Sequence, residues 1–239
     1  MHQELISLVN KYEAPKETLE FLTKIPLVVI AGVSGAGKNT TIKELLKTNK
    51  FSYIISYTTR KPRINNGIRE KNGREYFFIS EELAIKMLKN KEFIESAITH
   101  EHFYGTALNQ FKDAYKKHLL PISDIDVKGV DLYQKIKAIN KAFFLLPPDL
   151  ATQINRIKTR YSGEINQIDY KNRIKTSIEE LEVFKNRDFF IPIINDRKEE
   201  TASIITRYLN SNKAIKDLDN EYNVADKLIK DLKSYYKTL

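Results

Sequence analysis

The sequence contains no cysteine and only four histidines among its 239 residues, which leaves few side chains for disulfide bonds or metal sites. Without cysteine, the chain forms neither disulfide bonds nor thiolate metal sites. The histidines (His2, His100, His102 and His118) show no ligand-like arrangement, so we expect no zinc centre. His100 and His102 are expected on a surface strand or loop.

Long apolar runs are also missing. No run approaches the roughly 20 residues that cross a bilayer. The first residues mix charges into their apolar pattern, unlike the core of a signal peptide. We therefore expect a cytoplasmic protein with no membrane partner. Its composition, 41% apolar and 30% charged residues, is ordinary for one principal globular domain with appendages.

Positive charge is in excess. The chain has 40 Lys and Arg against 31 Asp and Glu, a formal net charge of +9. Such a surface attracts polyanions such as nucleotides or nucleic acids. Because the sequence carries no nucleic-acid recognition motif, we expect no nucleic-acid partner.

Short β-like runs alternate with helical patterns over most of the chain, which predicts an α/β fold with a largely parallel sheet flanked by helices. The predicted strands are Leu27–Ala31, Ser52–Ser56, Phe93–Ile98, Leu119–Ile125, Ala142–Leu146 and Phe189–Ile194. The predicted helices are Lys38–Leu46, Glu81–Leu88, Leu108–Tyr115, Gly129–Ile139, Leu150–Thr159 and Tyr170–Phe184. Ser80 and Asp149 are predicted N-caps.

Two extensions flank the central domain, which we place at residues 25–200. Residues 1–24 are predicted to be helical with a break near Pro15, and residues 201–239 to form one or two amphipathic helices. Apolar residues recur at helical spacing in the C-terminal extension. Such a stripe packs against its own domain or forms a subunit interface, which would give a homodimer through the terminal helices.

The stretch "AGVSGAGKNT", residues 31–40, is typical of a phosphate-binding loop, because Gly32, Gly37 and Lys38 follow an apolar strand and precede a helix. Its backbone N–H groups and the helix N-terminus attract an anion, and Lys38 adds a full charge. Asn39 stands where such loops usually carry a Ser or Thr that helps to hold Mg²⁺. Two hypotheses remain open: the Asn39 amide oxygen contacts the hydrated metal, or Thr40 contributes to the phosphate site.

The stretch "SYTTRKPR" places Arg60 and Arg63 beside several hydroxyl groups after the next strand. The rigid fork of an arginine matches phosphate oxygens, so this segment predicts a second phosphate site. A donor loop followed by a second anion site is typical of a kinase with a phosphorylated acceptor.

At this point the sequence resembles the guanylate kinase family, whose members transfer phosphate from ATP to GMP. The resemblance covers about residues 25–200 and rests on eight motifs in order. They are "GVSGAGKNT", "SYTTRKPR", "GREYFFIS", "EFIESAITHEHFYGT", "DIDVKGV", "LLPPDL", "RIKTR" and "IIND".

The resemblance implies a P-loop kinase core with a GMP-binding region at about residues 56–110 and a lid at about 149–175. The implied ATP-binding residues are Gly32, Ser34, Gly35, Ala36, Gly37, Lys38, Asn39, Thr40 and Asn195. Those implied for GMP are Ser56, Arg60, Arg63, Tyr76, Glu95, Tyr104, Thr106 and Asp126, of which Ser56, Glu95 and Thr106 read guanine. A carboxylate at Glu95 accepts from guanine N1–H and the exocyclic amine, a pair of donors that adenine lacks.

The resemblance also implies catalytic roles for Lys38 and for the lid arginines Arg156, Arg160 and Arg173, which offset charge on the transferring phosphoryl group. It implies Mg²⁺ as the cofactor of the co-substrate ATP, held by Asn39 and Asp124 directly or through water. Two alternatives stay open: a catalytically inactive interaction module, and a P-loop kinase of another phosphorylated acceptor such as a sugar phosphate.

Overall fold

A five-stranded parallel sheet forms the centre of the fold. The computed structural model describes residues 1–65, 67–99, 101–127, 129–159, 161, 165–211 and 217–239. The sheet contains β1 (Leu27–Gly32), β2 (Phe51–Tyr53), β9 (Leu120–Asp124), β10 (Ile139–Leu146) and β11 (Phe190–Ile194). Their order across the sheet is β11-β10-β1-β9-β2. All of its pairings are parallel, which confirms the predicted α/β fold.

Helices flank this sheet and extend from both termini. In the described part of the chain they are α1 (His2–Asn10), α2 (Lys16–Leu22), α3 (Lys38–Leu46), α4 (Glu81–Lys89), α5 (Leu108–Lys116), α6 (Val130–Lys135), α7 (Leu150–Lys158), α8 (Gln167–Lys185), α9 (Lys198–Asn210) and α10 (Asp219–Tyr236). Both predicted N-caps are confirmed, since Ser80 accepts from the N–H of Leu83 and Asp149 from that of Thr152.

A second sheet stands beside the first and was not predicted. Its strands, in the order β6-β3-β8-β7, are β6 (Phe77–Phe78), β3 (Tyr57–Thr58), β8 (His102–Ala107) and β7 (Phe93–Thr99). A short hairpin of β4 (Ile64–Asn65) and β5 (Ile68–Arg69) precedes β6. The described residues of 57–107 thus form a unit that contains most of a second apolar cluster, and we call this unit the acceptor arm.

Two predicted elements end earlier than expected. The strand predicted at Ser52–Ser56 ends at Tyr53, because the chain leaves the central sheet there and enters the acceptor arm. The helix predicted at Gly129–Ile139 covers only Val130–Lys135. Lys137 takes a positive φ of 55°, which ends the helical path, and Ile139 already pairs with Leu27 as part of β10.

The C-terminal helix α10 packs against its own domain. Its residues Ala225, Leu228 and Leu232 are buried in the main core. The ring of Tyr222 stacks on Phe184 of α8 at a centroid distance of 5.7 Å. The prediction that the apolar stripe packs against its own domain is therefore confirmed. The stripe was also predicted to include Ile215, which lies outside the described residues.

Candidate active site

The glycine-rich loop joins β1 to α3 and wraps around the N-terminus of that helix. Gly35 and Gly37 have φ values of 84° and 85°, a conformation that favours glycine. A Cβ atom at Gly37 would also collide with Nδ2 of Asn195. The loop is therefore built as the sequence predicts, with its backbone N–H groups gathered at the start of a helix, where anions bind.

Lys38 lies folded against its own loop. Its Nζ donates to the carbonyl oxygens of Gly32 and Val33, the latter at 3.4 Å. Glu180 of α8 is close enough to interact with this charge: burial raises the pKa of Glu180, and the positive charge of Lys38 opposes that rise. The positive charge of Lys38 therefore acts on Glu180 of α8.

Asn195 holds the loop in place from the end of β11. Its Nδ2 donates to the carbonyl oxygen of Ala36 at 2.6 Å and to Oγ1 of Thr41 at 3.2 Å, and its Oδ1 accepts from Thr201 at 2.8 Å. The side chain is buried and its amide is used inside the protein. Asn195 therefore has a structural role at the loop that the sequence did not indicate.

Asn39 and Thr40 are adjacent at the start of α3 but line two different cavities. Asn39 lines a cavity of about 330 Å³ together with Tyr53, Ser56, Tyr76 and Asp124. Thr40 lines one of about 370 Å³, and its Oγ1 donates to the carbonyl oxygen of Gly37 at 2.7 Å. The second cavity is lined by Gly35, Gly37, Thr40, Arg156, Thr159, Asn195, Asp196 and Lys198.

Arg60 of the acceptor arm is buried and paired with Glu70. Its Nη1 lies 2.9 Å from Oε2 of Glu70, and its Nη2 donates to Oε1 at 3.2 Å. Its guanidinium group also lies 5.2 Å from the ring centroid of Tyr76. Burial lowers the pKa of Arg60, but the hydrogen bond and charge of Glu70 outweigh that effect and raise it overall. This arginine is fixed and fully charged.

The other residues predicted to bind the acceptor phosphate surround Arg60. Tyr76 and Tyr104 meet edge to face with centroids 5.9 Å apart, and Tyr104 shares a hydrogen bond with Arg60. Arg63 is exposed, and its backbone N–H donates to Oε2 of Glu70 at 2.7 Å. Glu70 therefore organises both arginines.

Glu95 lies opposite Thr106 on adjacent strands of the acceptor arm. Burial raises the pKa of the Glu95 carboxyl group, hydrogen bonds from Thr106 oppose that rise, and the charge of Asp126 adds to it. Asp126 accepts from the N–H of Gly129 at 2.7 Å. The structure thus brings together Glu95 and Thr106, two of the three residues predicted to read guanine, with Asp126 close enough to act on Glu95.

The lid arginines are held by different parts of the protein. Arg156 donates to the carbonyl oxygens of Asn195 at 2.8 Å and Asp196 at 3.0 Å. Arg173 donates through Nε to Asp169 at 2.9 Å. Arg160 lies outside the described residues.

The sequence singled out neither Tyr53 nor Glu70, whose side chains bind predicted site residues, nor Glu180, which feels the charge of Lys38. The hydroxyl of Tyr53 donates to Oδ1 of Asp124 at 2.5 Å. No motif pointed to these residues, because each meets its partner only through the fold. Glu70 directly follows the β4–β5 hairpin, which brings its carboxylate to Arg60.

Within the described ranges, no group of three or more His, Asp or Glu side chains could by itself hold a metal ion. No helix among those residues is long and apolar enough to cross a membrane.

Comparison with known proteins gives a consistent result. A sequence model described as guanylate kinase matches residues 24–212. The chain is 34% identical over 194 residues to a guanylate kinase of Clostridioides difficile, covering 81% of this chain and 91% of the relative. It is 32% identical over 186 residues to one of Prochlorococcus marinus, covering 77% and 97%.

A solved structure shares the fold. The crystal structure of guanylate kinase from Anaplasma phagocytophilum matches with a TM-score of 0.56 and 23% identity, covering 80% of this chain and 87% of that one.

Proposed function

The chain belongs to the guanylate kinase family and is an ATP:GMP phosphotransferase, and from this premise we propose which of its side chains carry out the reaction. One observation carries the proposal. A single cavity is lined by Asn39 from the phosphate loop, by Ser56 and Tyr76 from the acceptor side, and by Asp124 at the end of β9. Donor and acceptor phosphates bound at its two sides would therefore meet.

ATP binds with its phosphates in the loop at residues 32–40. The backbone N–H groups of Gly35 to Thr40 surround the anion, and Lys38 exchanges its loop carbonyl partners for the β- and γ-phosphate oxygens. The cavity beside Thr40 and Arg156 takes the rest of the donor. Asn195 supports this site by fixing the loop.

GMP binds in the acceptor arm. Arg60, Arg63, Tyr76 and Tyr104 hold its phosphate, and Glu95 accepts from guanine N1–H and the exocyclic amine. Ser56 and Thr106 donate to guanine O6, and Asp126 supports the pocket. None of the residues assigned here is given a contact with the ribose 2′-hydroxyl, so we expect dGMP to be a second acceptor.

Mg²⁺ fits the residues at this cavity. Asp124 and Asn39 line the same cavity, and both carry side-chain oxygen atoms. Oxygen ligands suit a hard cation that keeps several waters and binds phosphates. When bound, Mg²⁺ supplies positive charge to the β- and γ-phosphate oxygens. Asn39 and Asp124 would hold it directly or through water.

Catalysis then consists of positioning and charge stabilisation. A phosphate oxygen of GMP attacks the γ-phosphorus of ATP in line, the bond from that phosphorus to the bridging oxygen breaks, and ADP leaves with the electron pair. Arg156, Arg160 and Arg173 offset the charge on the transferring group. The acceptor arm and the lid close around the substrates and exclude water, which limits hydrolysis of ATP.

An ADP-release assay with GMP, dGMP, AMP, CMP and UMP tests this assignment. We expect turnover with GMP and dGMP and little with the others. Equal rates with AMP and GMP would contradict the role of Glu95. No observation favours either alternative considered from the sequence, the inactive interaction module or the kinase of another phosphorylated acceptor.

Three further expectations stay predictions. The boundaries at residues 25 and 200 are one, and cytoplasmic location is another. The third is a homodimer through the terminal helices, which would have to use the outer faces of those helices, because the stripe on α10 packs on its own domain. Sedimentation equilibrium of the full chain tests the dimer.

A further inference from the structure

The N-terminal helix α1 lies outside the residues that the family model matches, yet it packs on the acceptor arm. Leu5 and Val9 join the apolar cluster of that arm, where they meet α4 and Phe93. An ion pair between Glu4 and Lys89 at 2.8 Å adds a polar tie between α1 and α4. Helix α1 is therefore part of the arm that binds the acceptor.

Tyr12, just after α1, makes an unusual contact with β7. Its hydroxyl group donates to the carbonyl oxygen of Phe93 at 2.7 Å and accepts from the N–H of the same residue at 3.1 Å. One side chain thus satisfies both backbone polar groups of a buried residue. Lys91 covers the Tyr12 ring at 4.8 Å from its centroid and donates to the carbonyl oxygen of Glu13.

Phe93 lies at an irregularity of the β7–β8 ladder. Phe93 pairs with Ala107, whereas Glu95 pairs with Thr106, so β7 carries one extra residue between these two pairs. A bulge of this kind interrupts the ladder and redirects the side chains that follow it. Here the bulge places Glu95 opposite Thr106.

We propose that Tyr12 is a positioning residue for Glu95: by binding both backbone groups of Phe93, it holds the bulge that aims the Glu95 carboxylate at the base of the acceptor. Tyr12 acts through the backbone and does not touch the nucleotide. This inference rests on the proposed function, in which Glu95 reads guanine. It assigns to the N-terminal extension a role in acceptor specificity.

The test compares GMP with IMP, which lacks only the exocyclic amine of guanine. Two acceptors that differ by one hydrogen-bond donor report the placement of the Glu95 carboxylate. Tyr12→Phe keeps the ring and removes the hydroxyl. We expect the ratio of the IMP dissociation constant to the GMP dissociation constant to fall by about fivefold, as for the loss of one well-placed hydrogen bond. The KM for ATP should stay unchanged.

Two further variants make the result decisive. Lys89→Met breaks the exposed tie between α1 and α4 without touching Phe93, so its IMP-to-GMP ratio should equal that of the wild type. Glu95→Gln should reduce the ratio more than Tyr12→Phe does. The inference is overturned if Tyr12→Phe keeps the wild-type IMP-to-GMP ratio while Glu95→Gln lowers that ratio. It is also overturned if Tyr12→Phe raises the dissociation constants of GMP and IMP by the same factor. An unchanged ratio in Glu95→Gln would instead overturn the reading role of Glu95, and the role of Tyr12 with it.

Discussion

The hydroxyl group of Tyr53 donates a hydrogen bond to Oδ1 of Asp124, with the two oxygen atoms 2.5 Å apart. The pair forms because β2 and β9 are neighbours in the central sheet. Burial and the nearby charge of Asp124 raise the pKa of Tyr53, so its hydroxyl stays protonated and remains a donor. Tyr53 therefore fixes the orientation of the carboxylate that we propose lies beside Mg²⁺.

Replacing Tyr53 by Phe should raise the Mg²⁺ concentration needed for half-maximal rate by about tenfold, as when other partners that orient a metal ligand are lost. A Mg²⁺ titration of the reaction rate at saturating GMP measures this shift. Tyr115→Phe is a matched control, because Tyr115 is 53% exposed and does not line the cavity. An unchanged Mg²⁺ requirement in Tyr53→Phe would contradict the positioning role.

Asn39→Ala and Thr40→Ala should have different effects, because the two residues line different cavities. We expect Asn39→Ala to shift the Mg²⁺ titration and Thr40→Ala to leave it in place while raising the KM for ATP. The same titration and an ATP saturation curve distinguish them. If neither variant changes metal dependence, neither residue takes the role of the usual Ser or Thr.

The affinity for GMP should depend on pH through Glu95. Burial raises the pKa of this carboxyl group above its ordinary value of 4.5. Binding needs the ionised form, so acidification should weaken GMP binding already at a pH above 4.5, as the group gains its proton. Titration of the GMP dissociation constant against pH measures this, and Glu95→Gln should remove that part of the pH dependence. A wild-type affinity that is flat down to pH 4.5 would be inconsistent with this prediction.

The raised pKa of Glu95 also makes the free energy of unfolding depend on pH. Because the folded state binds the Glu95 proton more tightly than the unfolded state, this group makes the protein less stable as pH rises from 4.5 through the folded pKa. Glu95→Gln should flatten that part of the stability curve, measured by urea unfolding.

Glu70→Gln should destabilise the free protein by about 2 kcal/mol, because it leaves the buried charge of Arg60 without its anionic partner. GMP supplies a phosphate to Arg60, so the increase in melting temperature on adding GMP should be larger in the variant than in the wild type. Thermal unfolding with and without GMP measures both effects.

Glu4→Gln is the matched control for this variant, since it weakens the exposed ion pair with Lys89, which lies away from the phosphate site. If GMP raised the melting temperature of Glu70→Gln and of the wild type by the same amount, Glu70 and the GMP phosphate would not both bind Arg60.

The lid is the part of the site where the sequence was least informative about contacts. Its predicted arginines Arg156 and Arg173 were correctly placed on helices. Arg173 binds Asp169 one turn earlier on its own helix, whereas Arg156 binds carbonyl oxygens about 40 residues further along the chain. Tyr170, on the same helix as Arg173, has its hydroxyl 2.9 Å from that of Tyr235 in the C-terminal extension. No local pattern indicates such a contact, because it depends on how α10 packs on α8.

The sequence by itself determined the phosphate loop, the helix caps and the alternation of strands and helices. Each of these depends on neighbouring residues: the loop on glycines at positive φ before a helix, the caps on Ser80 and Asp149, and the elements on apolar periodicity. The ordered motifs also indicated the family.

Only the tertiary structure decided which residues support the site. Strand β8 escaped prediction because its pairing with β7 and β3, rather than its own pattern, makes it a strand. Tyr12, Tyr53 and Glu70 likewise carry no local signal, and each gains its role from a partner reached through packing. Asn39 and Thr40 are adjacent in the chain, yet the path of α3 sends them to different cavities, since consecutive residues of a helix point in different directions.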